Sequence, residues 1–235
     1  MASPWTIIPE IKVEGKPLGR HIYRPEGWDK RAMALPPITP KTTKWTRHCP
    51  PFNQGQIGSC TGNAAAGALM TDPYWVAGRN LTEDDAVKFY SQATHYSSPN
   101  GEYYPPNDTG SSGYAVAEAL EKDGLIKSFS HVTNINDALG ALTLSAGIFG
   151  VSWMDTFDNP LPSGEVPLTP NSQIRGGHEI EAFGIDVEQK QVWFYQSWGE
   201  TWGPLGNGTF WMSFDTLDHQ LSELNSDGTF FSVAK

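Results

Sequence analysis

Gln54-Gly55-Gln56-Ile57-Gly58-Ser59-Cys60 runs straight into Thr61-Gly62-Asn63-Ala64-Ala65-Ala66-Gly67-Ala68-Leu69-Met70, and Pro73 closes the run. The first seven residues are a glycine-punctuated loop. The next ten are small enough to form a helix that other elements can approach closely. Glycine costs a helix about 1 kcal/mol relative to alanine, so Gly62 and Gly67 imply a buried helix pressed against its neighbours. Cys60 falls on the first turn, where the helix dipole favours a thiolate. A thiol so placed, beside a histidine, drops from about 8.5 to as low as ~3–4 and becomes nucleophilic. Taken alone, Cys60 reads as a small buried hydrophobe.

The flanking residues change that reading. Gln54 through Cys60 resembles the active-site segment of the papain-like cysteine peptidases, where a glutamine six residues before the cysteine donates to the oxyanion. Ile57 stands where the family pattern has a further cysteine, and Thr61 replaces the usual aromatic. Far downstream, Gly176-Gly177-His178-Glu179-Ile180-Glu181-Ala182-Phe183-Gly184-Ile185-Asp186 is similar to the family's histidine strand. Then Gln196-Ser197-Trp198-Gly199-Glu200-Thr201-Trp202-Gly203 resembles its Asn-Ser-Trp-Gly block, with Gln196 in place of the orienting asparagine. A glutamine carries the same amide on a longer stem, so it serves only if its backbone sits farther back. The three ordered motifs span most of the chain.

The resemblance implies an α+β, two-lobed papain-like fold. A helical lobe of about 51–130 carries the nucleophile, and an antiparallel β-barrel-like lobe of about 131–235 carries the histidine, with a cleft between. It implies catalytic Cys60, His178, Gln196 and Gln54. It also implies substrate contacts at Gly110 and Ser111, at Glu179 beside a specificity pocket, and at Trp198 and Trp202. Trp198 would shield the orienting amide from water, and Trp202 would line the leaving-group side. For Glu179 the plainer reading is a surface pair with Arg175. His178-Glu179 also opens a metal motif, but position 182 is Ala rather than the second histidine. No metal or cofactor is expected.

The rest of the chain is consistent with this plan. At 235 residues it fits one large domain or two lobes. A charged fraction of 18% and a hydrophobic fraction of 38% describe a globular chain rather than a disordered one. A net charge of −10 opposes nucleic acid or an anionic membrane as the main partner and says nothing of the reaction; a protein or peptide substrate is what the resemblance implies. The two cysteines, Cys49 and Cys60, need not pair. Met1-Ala2-Ser3-Pro4-Trp5 has neither the basic nor the apolar part of a signal peptide, so a cytoplasmic site of synthesis is expected, with a virion or exported destination open. The short form is similar to bacterial and bacteriophage members of the family.

Residues 1–50, proline-rich and basic, read as an extended arm wrapping the acidic body of residues 51–235, with an inhibitory segment as the alternative. Helices are expected from Cys60, from Thr82, over Ser112–Asp123 and after Asn134. Strands are expected over Ile148–Trp153, His178–Ile185, Val192–Ser197, Thr209–Phe214 and Thr229–Val233, with a long loop from Asp155 to Gly177. The activity implied is hydrolysis of peptide bonds through an acyl-enzyme. A weakened, peptide-binding form and a hydrolase or transferase of peptidoglycan peptides are the alternatives.

Overall fold

The computed structural model describes residues 6–7, 10–19, 22–23, 37–97 and 101–233; what was expected of the other residues of the arm lies outside the described residues. Helix α1 (Cys60–Leu69) is buried along its whole length. The glycines explain how. A Cβ on Gly62 would stand 1.9 Å from the Ala86 carbonyl oxygen, and one on Gly67 would stand 2.2 Å from the Glu181 carboxylate. Helix α2 (Glu83–Ser97) opens with a reciprocal cap: Thr82 N–H donates to Asp85 Oδ2 at 2.8 Å and Asp85 N–H to Thr82 Oγ1 at 3.4 Å. Helix α3 (Gly113–Lys122) is capped by Ser112, whose hydroxyl accepts from Ala115 N–H at 3.2 Å. These three helices share one apolar cluster with Phe52, Ile126 and Phe129.

The second half is a sheet. Two short N-terminal strands, β1 (Thr6–Ile7) and β2 (Ile22–Tyr23), pair with each other. The main sheet comprises β4 (Ser128–Val132), β5 (Gly147–Met154), β6 (Ile174–Asp186), β7 (Gln191–Tyr195), β8 (Thr209–Ser213) and β9 (Asp227–Ser232). Its order is β4-β9-β5-β6-β7-β8, antiparallel throughout, and β3 (Thr43–Lys44) joins the side of β6. The sheet is not closed: β4 and β8 are its ends, which corrects the barrel-like expectation. The fold class is mixed helix and antiparallel sheet, as the motifs implied.

Helix α4 (Ile135–Leu142) is capped by Asn134 as expected, and α5 (Phe214–Glu223) by Ser213. Both pack on the sheet around a second cluster centred on Phe149, Trp153, Phe194 and Phe210. Helix α5 and strand β4 were not anticipated. The loop expected from Asp155 is shorter than read, because residues Asp155–Asp158 form a 3-10 turn and β6 begins at Ile174. The β5–β6 register slips between Trp153 and Met154, whose partners are Gly176 and Ile174, so Arg175 is the extra residue of a bulge. Among the described residues no helix is long and apolar enough to cross a membrane.

Candidate active site

Cys60 opens α1 at the junction of helix and sheet, and the backbone N–H of Glu179 on β6 donates to its sulfur at 3.3 Å. His178, the residue before, thereby lies at the same junction. Both side chains are buried, with 0% exposure each. The His178 Nε2 lies 2.5 Å from Gln196 Oε1, and that oxygen also accepts the Ser197 N–H at 2.8 Å. An oxygen that accepts a backbone N–H cannot be the amide nitrogen, so the imidazole carries its proton on Nε2 and keeps Nδ1 as the basic atom. The longer glutamine stem therefore reaches the ring.

Ser197 couples this amide to the loop before Cys60. Its hydroxyl donates to Gln54 Oε1 at 2.6 Å, its carbonyl accepts Gln54 N–H at 2.9 Å, and Gly199 N–H reaches the Phe52 carbonyl at 3.0 Å. Gln54 Nε2 donates to the Ile57 carbonyl at 2.9 Å, which uses one of its two hydrogens. Trp198 lies over His178 with ring centroids 5.5 Å apart and planes inclined by 31°, and Trp202 meets Trp198 edge-on at 5.5 Å. Trp153 meets the same imidazole edge-on at 5.2 Å. Ser197 and Trp153 were not singled out from sequence. Ser197 sits inside a recognised motif, whereas Trp153 gave no signal beyond its strand.

The remaining expected positions are dispersed. Gly110 has φ +72° and donates its N–H to the Tyr90 hydroxyl at 3.0 Å. Asp108 bonds the same hydroxyl and accepts the Gly58 N–H at 2.8 Å, fixing the loop before the thiol. The Ser111 hydroxyl is buried against Ser97 Oγ at 2.8 Å, so its side chain faces inward. Glu179 is not a surface pair with Arg175. Its carboxylate is buried where a Cβ on Gly113 would meet it at 2.6 Å, because strand alternation sends residue 179 to the opposite face from His178. Arg175 pairs instead with Asp158, Nε to Oδ1 at 3.2 Å. The two cysteines are unpaired, and Cys49 Sγ accepts from Arg47 Nε at 3.3 Å.

Residues 10–19 lie across this site. Arg175 donates from Nη1 to the Ile11 carbonyl at 3.0 Å and from Nη2 to the Lys16 carbonyl at 2.7 Å. Trp198 Nε1 donates to the Pro17 carbonyl at 2.8 Å, and Lys16 Nζ to the Asp158 carbonyl at 2.8 Å. Leu18 is buried against Gly176, and Gly19 stands on the Cys60 sulfur. Burial, the largest influence, pushes the Cys60 thiol far above its ordinary range; the nearby Glu179 charge adds to this, and the Glu179 and Thr61 N–H bonds oppose it. The covered arrangement therefore favours the protonated thiol.

No protein-family model and no curated protein sequence matches the chain. Solved structures do. The cysteine protease xylellain from Xylella fastidiosa aligns at 21% identity and a TM-score of 0.57, over 96% of this chain and 100% of that one. The Carica candamarcensis cysteine protease CMS1MS2 aligns at 15% identity and 0.57, over 82% of this chain and all of that one. The bromelain protease of Ananas comosus aligns at 14% and 0.56, also over 82% of this chain and all of that one. At these identities the likeness is one of fold. The chain has the fold of the papain-like cysteine proteases.

Proposed function

We propose that this chain is a cysteine endopeptidase acting on protein or peptide substrates, held latent by residues 10–19. The observation that supports the chemistry is the 2.5 Å bond between His178 Nε2 and Gln196 Oε1, beside a sulfur that opens a helix. His178 Nδ1 takes the Cys60 proton, and the resulting pair titrates as a unit. The thiolate attacks the peptide carbonyl carbon. Gln54 Nε2 and the Cys60 backbone N–H stabilise the oxyanion, an effect of about 3–4 kcal/mol per donor in comparable sites. The imidazolium then protonates the departing amine, and water, deprotonated by His178, releases the acyl group and restores the thiol. The Gly110–Ser111 backbone pairs with the substrate, and Trp198 and Trp202 line the leaving-group side.

Latency is supported by the complete burial of the sulfur under Gly19. The test uses E-64, the inhibitor bound to the CMS1MS2 and bromelain enzymes. The full chain should label slowly at Cys60 and hydrolyse peptides weakly. A Gly19→Val chain should label quickly and hydrolyse peptides in a manner lost with Cys60→Ala. Fast labelling with no hydrolysis of any peptide would replace the enzyme by a peptide-binding protein of the same fold.

A further inference from the structure

We infer that one ordered water is a fixed part of this site, held between Asn63 and Gln196, and that Asn63 is thereby a positioning residue for His178. The argument begins with two amides whose orientations are each set by the backbone. Asn63 Nδ2 donates to the Ser59 carbonyl at 2.8 Å and to Ser59 Oγ at 3.0 Å. A carbonyl only accepts, so the nitrogen of Asn63 must face Ser59 and its Oδ1 must face away. Gln196 Oε1 accepts the Ser197 N–H, so its Nε2 must likewise face away.

This leaves an acceptor, Asn63 Oδ1, and a donor, Gln196 Nε2, both buried and neither bonded to any atom of the described residues. The residues are 3% and 2% exposed. Leaving both unsatisfied would cost about 1–3 kcal/mol each, and most buried polar atoms in native proteins find a partner, ordered water included. Both residues line the same cavity between α1 and the end of β7, with about 10 Å³ open to a water-sized sphere. That is about the volume one water requires, and too little for anything larger. A single water there accepts from Gln196 Nε2 and donates to Asn63 Oδ1.

The consequence for chemistry is orientational. With Nε2 tied through water to α1, the Gln196 amide gains a second hold beside the Ser197 N–H, and its oxygen stays on His178 Nε2. The helix that presents the thiol then also fixes the tautomer of the base. The longer glutamine acquires a second anchor, on Asn63.

The inference deepens the peptidase reading but is tested apart from it. A crystal structure of the full chain should show one water within about 3.2 Å of both Asn63 Oδ1 and Gln196 Nε2. No water there, or the two amides bonded directly, would overturn the proposal. In nitrogen-15 spectra of the full chain, His178 should be a single Nε2–H tautomer. Asn63→Leu, which fills the cavity and removes the acceptor, should give a mixture. An unchanged tautomer in a folded Asn63→Leu chain would refute the positioning role, and should that variant not fold, the crystallographic water decides. An inert protein with the water in place would sink the peptidase and leave this site standing.

Discussion

Gly19 and Cys60 touch so closely that no other side chain fits between them: a Cβ on Gly19 would stand 2.1 Å from Sγ and 2.6 Å from the Gly58 carbonyl oxygen. Segment 10–19 and the thiol are thus mutually exclusive with any bulk at position 19. Gly19→Val should push the segment away. Overpacking of this kind costs about 1–3 kcal/mol, or roughly 5- to 150-fold in the population with an open site. Iodoacetamide should then modify Cys60 faster by a factor in that range, with Cys49 unchanged as an internal control; peptide mass analysis reads both. Equal rates in the two proteins would mean the segment does not govern access.

Gly62 carries the same kind of constraint inside the fold. Its ideal Cβ would lie 1.9 Å from the Ala86 oxygen and 2.8 Å from the Tyr90 nitrogen, both backbone atoms of α2. Backbone cannot rotate aside as a side chain can. Gly62→Ala should therefore destabilise the protein by about 1–2 kcal/mol, the overpacking outweighing alanine's better helix propensity. Urea unfolding with an unchanged slope checks this; a gain in stability would refute the close packing.

That packing was legible in the sequence, since two glycines in an alanine-rich helix make sense only where something lies on them. The caps at Asn134 and Thr82–Asp85 were legible for a similar reason, being local chemistry at fixed offsets. Helix α5 was not, because Phe214 extends the aromatic alternation of β8 and so hides the Ser213 cap. Strand β4 is five residues long and has too little alternation to stand out. At the site, Cys60, His178 and Gln196 came from motifs, but whether the glutamine reached the ring depended on the backbone and not on residue type. Glu179 was misread as a partner of Arg175. The bulge that turns Arg175 toward Asp158 comes from the pairing of β5 with β6, and the cover formed by residues 10–19 rests on contacts about 160 residues apart in sequence, for example Arg175 with Lys16; no local pattern reports either.

Arg47 and Glu181 form a buried ion pair, Nη1 to Oε2 at 2.5 Å, with Thr71 Oγ1 donating to the other carboxylate oxygen at 2.6 Å. Burial is the largest influence on Glu181 and raises its pKa despite the neighbouring guanidinium. Removing the cation alone leaves a buried carboxylate with one hydroxyl for support. Arg47→Met should cost about 3–5 kcal/mol, and the double change Arg47→Met with Glu181→Leu should recover most of it. Thermal unfolding of the four proteins forms the cycle. A double variant as unstable as Arg47→Met alone would place the loss in packing rather than in the orphaned charge.

The buried thiol of Cys60 makes stability depend on pH in a direction that can be worked out. Its pKa is raised in the folded, covered state, so the folded protein holds the proton where the unfolded chain releases it. The contribution is complete below the unfolded value of about 8.5 and is lost as pH rises above it, by up to 1.36 kcal/mol per pH unit. Between pH 8 and pH 10 the wild type should therefore lose about 2 kcal/mol more than Cys60→Ser, whose hydroxyl does not titrate there. Cys49 and the tyrosines are common to both proteins and cancel in the difference. Should residues 10–19 lift to let the thiolate form, the excess loss flattens at the pH where opening becomes cheaper than holding the proton. In a Gly19→Val chain, already open, the difference from its own Cys60→Ser counterpart should nearly vanish. Chemical denaturation at the two pH values measures all four terms, and an undiminished difference in the valine pair would show that something other than the segment buries the sulfur.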